Sequence, residues 1–215
     1  MNKKINNFLF VFITIFLASC IAPTTQRTKP NEEAVAIEAE KQREIAVKEA
    51  SKSHYRLLRV GGPILKKSLP FCKDRKRKSI GIIYANKFNY DEEFQNIAVS
   101  KLGLGDTLEI TYAIDSYPAA KAGFKAGDVL LSVNGKDIPI GKDASKKFSK
   151  LLKKEMKGNT QLSFQVARNN ITESLNVVPI EVCDYPLILT NDDVVNAFAD
   201  GNNIFITQGM MDFAD

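Results

Sequence analysis

The chain has 215 residues, 44% of them hydrophobic, and 30 Lys and Arg against 25 Asp and Glu give a formal charge of +5. That supplies one compact domain and additional segments, while the mild charge is no signature of a nucleic-acid binder. One histidine and three cysteines narrow the chemistry further.

Lys3 and Lys4 precede an apolar run, Phe8 to Leu17, interrupted only by Thr14. A bilayer span needs about 20 residues, so this shorter run predicts a signal peptide over residues 1–19. It closes on Leu17-Ala18-Ser19-Cys20, which resembles the lipobox of bacterial lipoproteins. The resemblance implies lipidation of Cys20 and a membrane-anchored chain in the cell envelope, facing the periplasm. The alternative is an ordinary secretory signal. Ile21 after Cys20, where Asp would resemble an inner-membrane retention signal, favours the outer membrane. Without Lys3 and Lys4 the mature chain carries about +3. Cys72 and Cys183 then remain as an even pair in an oxidising compartment, which predicts a disulfide; two separate buried thiols are the alternative.

Residues 20–30 read as a flexible tether. Residues 31–78 read as a stalk helix and linker: Asn31 caps, Glu32 and Glu33 suit the first turn, and Gly61-Gly62-Pro63 stops the helix after about Val60. The thin apolar stripe of Val35, Ile37, Ile45, Val47, Leu57 and Leu58 predicts a solvated helix that docks only near its end, with His54 facing solvent. A basic cluster follows at Lys73, Arg75, Lys76, Arg77 and Lys78. It could touch anionic headgroups or be solvated, and it lacks the interleaved aromatics of a single-strand nucleic-acid site.

From residue 79 the pattern changes to α+β. Ser79 to Tyr84 is a β-rich run, Asp91 to Leu102 is compatible with a helix, and Thr107 to Ile114 alternates like a half-buried strand. Pro118 to Gly123 predicts a helical turn, Val129 to Val133 a strand, and Asn134-Gly135 a hairpin turn. Lys142 to Met156 is amphipathic, and strands over Gln161 to Ala167 and Ile171 to Val178 flank Arg168-Asn169-Asn170.

Ser116-Tyr117-Pro118-Ala119-Ala120-Lys121-Ala122-Gly123-Phe124-Lys125-Ala126-Gly127-Asp128, running into Val129 to Gly135, resembles the corresponding string of bacterial PDZ modules. The likeness covers residues 79–178 and implies a partly open β-barrel or sandwich with two helices that binds peptides. In that family a Φ-Gly-Φ loop precedes an exposed strand edge. Ile80-Gly81-Ile82 matches best, implying peptide pairing along Ile82 to Ala85, Ile83 included, against Phe148, Leu151 and Leu152. Leu102-Gly103-Leu104-Gly105 is the competing loop.

Residues 179–215 read as a linker at Asp184-Tyr185-Pro186, strands over Val194 to Ala199 and Asn203 to Thr207, and a helix starting at Gln208. This resembles the opening of HtpX-like gluzincin zinc metallopeptidases, whose envelope lipoproteins can carry a PDZ module with cysteines placed like Cys72 and Cys183. A terminal hairpin packed on the preceding domain is the alternative. The family's H-E-x-x-H string is absent, and His54 alone cannot serve a metal site or a nucleophile's base. Zinc is expected for full-length members, with neither metal nor catalytic residues here. The reading is the anchored front part of such a peptidase, incomplete after its first hairpin, whose PDZ domain binds peptides or C-termini of envelope proteins. Met210, Met211 and Phe213 are expected to stand exposed on a truncated helix. A stand-alone peptide-binding lipoprotein is the alternative.

Overall fold

The computed structural model describes residues 31–214, so the expectations for the signal peptide, Cys20 and the tether lie outside the described residues. Residues 31–38, the start of the first helix, belong to a unit separate from the one that begins at Ala39.

The first helix, α1, runs from Glu32 to Lys67. Asn31 accepts from the Glu33 amide at 3.0 Å, the cap its side chain favours. The expected stop at Gly61-Gly62-Pro63 does not occur. Proline inside a helix costs about 3 kcal/mol, but packing overrides it here. A Cβ on Gly61 would lie 2.3 Å from Leu187 Cδ1, and one on Gly62 would lie 3.1 Å from Ile114 Cγ2. Tyr117 donates its hydroxyl to the Gly62 carbonyl at 3.1 Å. The glycines are where the helix backbone presses directly onto the rest of the fold. Burial along α1 begins at Val47 and continues through Ser53, Leu57 and Leu65, so it is docked over far more than its end.

The main sheet has the order β2-β3-β4-β6-β7, built from Ile82–Ala85, Glu109–Ala113, Val129–Val133, Leu162–Arg168 and Ile171–Val177. Every neighbouring pair is antiparallel. The short β5, Lys136–Asp137, folds back on β4 across Asn134-Gly135, both at positive φ. Asn169 and Asn170 make the same kind of turn between β6 and β7. Inward residues such as Leu108, Ile110, Val133, Leu162, Phe164 and Val166 are essentially buried and form the core.

Two further helices, α2 at Glu92–Leu102 and α3 at Pro118–Lys121, flank the strand β3. Helix α4, Ala144–Gly158, closes the core with Ala144, Phe148 and Leu152. It is pinned by buried Glu155, which accepts from Asn134 Nδ2 at 2.9 Å and pairs with Lys136.

The run expected as one strand from Ser79 to Tyr84 is broken at Ile80-Gly81. β1, Lys76–Ser79, pairs instead with β8, Ile180–Cys183, as a separate two-stranded ribbon. Cys72 and Cys183 form a disulfide beside this ribbon, with Cα atoms 5.6 Å apart.

After β8 comes a three-stranded sheet of order β10-β11-β9, made of Ala197–Ala199, Ile204–Thr207 and Leu187–Thr190. β9 was not foreseen; it runs parallel to β11. The last helix, α5, Gln208–Phe213, is capped by Thr207, which accepts from the Met210 amide at 3.1 Å. Met211 is buried at 8% exposure, against the expectation of three exposed apolar side chains, while Phe213 is 75% exposed. Arg56 of α1 donates to the Met211 carbonyl at 2.6 Å and to the Ala214 carbonyl at 2.5 Å, which fastens this end to α1.

Candidate functional site

β2 is an outer strand of its sheet, so half of its backbone N–H and C=O groups have no strand partner. α4 lies across from that edge. Between them opens a groove of about 540 Å³, with Ile82 and Tyr84 on one wall and Ser149, Leu152, Lys153, Met156 and Lys157 on the other. The groove continues past Ser79, Ile80 and Gly81 to Lys76, Arg77 and Lys78 of β1 and to Glu181 and Asp184.

The floor is rigid. Asn86, 1% exposed, ends β2 by donating to the carbonyls of Asp106 at 3.1 Å and Gly141 at 2.9 Å. Tyr84 packs edge-on against Phe148 with ring centroids 4.7 Å apart, and burial pushes its phenol pKa up against the opposing pull of a hydrogen bond to Ser149. At the loop, the Ala119 amide donates to Ile80 O and the Ile114 amide to Gly81 O, each at 2.9 Å.

Gly81 has φ of 82°, and a Cβ there would lie 2.1 Å from Tyr117 Cβ. A side chain at Gly81 therefore damages the fold before it reports on ligand binding. The Gly81 amide already donates to Ser79 Oγ at 3.2 Å. The competing glycine loop has another job: Gly103 is the left-handed C-cap of α2.

Of the residues singled out from the sequence, Ile80, Gly81, Ile82 and Leu152 line the groove. Phe148 does not; it is fully buried beneath it. Leu151 packs against the core cluster. Ile83 lines a different hollow, with Val47, Ser51, His54, Tyr55, Tyr90 and Thr111. Successive strand residues face opposite ways, which is why neighbours on β2 part company. Ser149, Lys153, Met156 and Lys157 were missed, although their spacing of three and four places them along one strip of α4.

His54 is half-buried rather than solvent-facing, and burial lowers its pKa. Below the unfolded value of about 6.5 the unfolded chain takes up the proton more readily than the native one, so stability falls as pH drops through that window. Urea midpoints measured across it should decline, and His54→Gln should flatten the decline.

The single histidine sits among tyrosines, and Cys72 and Cys183 are consumed by their disulfide. Among the described residues no group of three or more His, Cys, Asp or Glu could hold a metal ion.

No curated protein matches the chain. Solved structures to which the chain is similar include the HtrA3 PDZ domain bound to a phage-derived ligand, at 18% identity and TM-score 0.36, covering 50% of this chain and 88% of that one. The HtrA-type protease AlgW with decapeptide is 24% identical at TM-score 0.36, covering 48% of this chain and 29% of the protease. The PDZ domain of EpsC from Vibrio cholerae is 18% identical at TM-score 0.26, covering 34% of this chain and 77% of that one. β2 lies ahead of the segment that a sequence family matches and is joined to it through β3. That segment is residues 96–178, which match the family model of the PDZ domain, and the chain therefore carries a PDZ domain within a longer sequence.

Proposed function

We propose that the groove between β2 and α4 binds an extended peptide as an added strand on β2. The observation that carries this is the open outer edge of β2 facing an amphipathic helix across a groove with a partly apolar lining. Main-chain pairing supplies affinity there and side-chain pockets supply selectivity. Ile82, Leu152 and Met156 take an apolar ligand side chain, and Tyr84 with Ser149 borders it.

On this reading the chain is the front part of an HtpX-like zinc metallopeptidase lipoprotein, anchored at Cys20 in the cell envelope, whose groove presents peptides or C-termini of envelope proteins. The Leu17-Ala18-Ser19-Cys20 string supports the anchor, and Asn196-Ala197-Phe198 with Thr207-Gln208-Gly209 supports the peptidase likeness. The alternative is a stand-alone peptide-binding lipoprotein. Both readings share the groove.

Met156→Asp tests it, at a groove position that is only partly buried. The aspartate puts a charge on the groove wall, and peptide affinity should fall at least about tenfold, roughly 1.4 kcal/mol, in a fluorescence anisotropy titration. Unchanged affinity in a variant with an unchanged melting curve would place the ligand elsewhere.

A further inference from the structure

Resting on the groove reading above, we propose that the ligand is an acidic peptide: one with Asp or Glu beside its apolar anchor, held by cations at the β1 end of the groove. Apolar Ile82, Leu152 and Met156 occupy part of the lining, and the cations gather where β1 meets the C-terminal half of α4.

Neighbouring carboxylates offset only two of these cations. Arg77 is paired with Asp184 at 3.3 Å, and Lys78 stands opposite Glu181 in the β1–β8 register. Lys76, Lys153 and Lys157 remain: all three are exposed, and among the described residues no ion pair joins them to a carboxylate. Lys153 and Lys157 are four apart on one helix and repel each other. The negative C-terminal end of α4 offsets part of that repulsion, and an acidic ligand would remove the rest.

A bilayer surface is a poorer occupant than a peptide. The cations border a groove that has a strand edge along one side, a shape that admits an extended chain with alternating side chains. The groove also runs on beyond Gly81 to Lys76, so space for acidic side chains lies past the Ile80-Gly81 loop. At physiological salt the Debye length is about 8 Å, which confines the attraction to charges seated in or beside the groove.

The full chain is panned against phage displaying random C-terminal peptides. The recovered peptide is then compared by anisotropy with its amide isostere, Asp replaced by Asn and Glu by Gln. Recovered sequences should be enriched in Asp and Glu next to an apolar residue, and the acidic peptide should bind about tenfold more tightly than its isostere, as several partly exposed ion pairs acting together allow. In the double variant Lys153→Glu/Lys157→Glu the order should reverse. Recovered peptides with no acidic bias, or equal affinity for peptide and isostere, would overturn the inference and leave the groove reading intact. No recovery at all would overturn both. Displacement of the recovered peptide by phosphatidylglycerol vesicles but not by phosphatidylcholine vesicles would assign the cations to a lipid surface and overturn the inference.

Discussion

Replacing Cys72 and Cys183 with serine is expected to lower the melting temperature by about 10–20 °C. The bond spans 111 residues of sequence, and a closed loop of about 100 residues loses enough unfolded-state entropy to stabilise the fold by about 4.7 kcal/mol. For a chain of this size each kcal/mol moves the midpoint by about 2–4 °C. The surroundings add to the effect. Both cysteines are buried with Leu65 of α1, against Tyr185, Leu187 and Ile204, and the β1–β8 ribbon beside them has only two strands, which is marginal alone. Because β1 leads straight into the loop before β2, loosening the ribbon should also weaken peptide binding. Thermal melts of the oxidised parent and the double-serine variant check this, and a difference within about 2 °C would contradict it.

Arg168→Met is expected to destabilise the domain by about 3–5 kcal/mol, the usual cost of leaving a buried charge without its partner. Asp128 is fully buried where the chain turns into β4, and its carboxylate receives Arg168 Nε at 2.6 Å and Nη2 at 2.7 Å. Arg168 also donates to the Gly123 carbonyl at 2.7 Å and pairs with Glu173 at 2.9 Å, so one side chain ties the end of β6 to the turn after α3 and to β7. The Lys125 amide donates to Asp128 as well, at 2.9 Å, but brings no charge. Removing both charges, as Asp128→Asn with Arg168→Met, should cost less than the sum of the single changes, because the orphaned carboxylate is gone. Urea denaturation of the four proteins measures the coupling, and strict additivity would show that the pair does not act as a unit.

The elements that were legible in the sequence carry their own local evidence. β6 alternates through Leu162, Phe164 and Val166, and Asn134-Gly135 and Asn169-Asn170 suit the positive φ their turns adopt. What was not legible depends on distant contacts. Gly61-Gly62-Pro63 is a local stop signal, and only the approach of Leu187, Ile114 and Tyr117 shows why the helix runs on. β1 reads Lys-Arg-Lys-Ser with no apolar alternation, and its partner β8 lies about a hundred residues away. β9 is four residues directly after a proline and pairs in parallel, so no short-range turn signal exists for it.

The candidate site was legible at its loop and blurred at its walls. Φ-Gly-Φ at Ile80-Gly81-Ile82 marks the groove because glycine alone tolerates the backbone there so close to Tyr117. The family resemblance implies a wall of Phe148 and Leu151, yet large apolar residues at helical spacing mark the core face first. The groove wall is the neighbouring strip of Ser149, Leu152, Lys153, Met156 and Lys157, a mix of polar and apolar residues that an amphipathic pattern does not separate from solvated surface.

The central claim is that a peptide pairs with the open edge of β2, and backbone amide exchange tests it most directly. With a saturating recovered peptide, amides within Ile82–Ala85 that point away from β3 should exchange more slowly, while those of the equally short β10, Ala197–Ala199, should not change. Tight binding that leaves every amide of Ile82–Ala85 exchanging at its free rate would contradict the account.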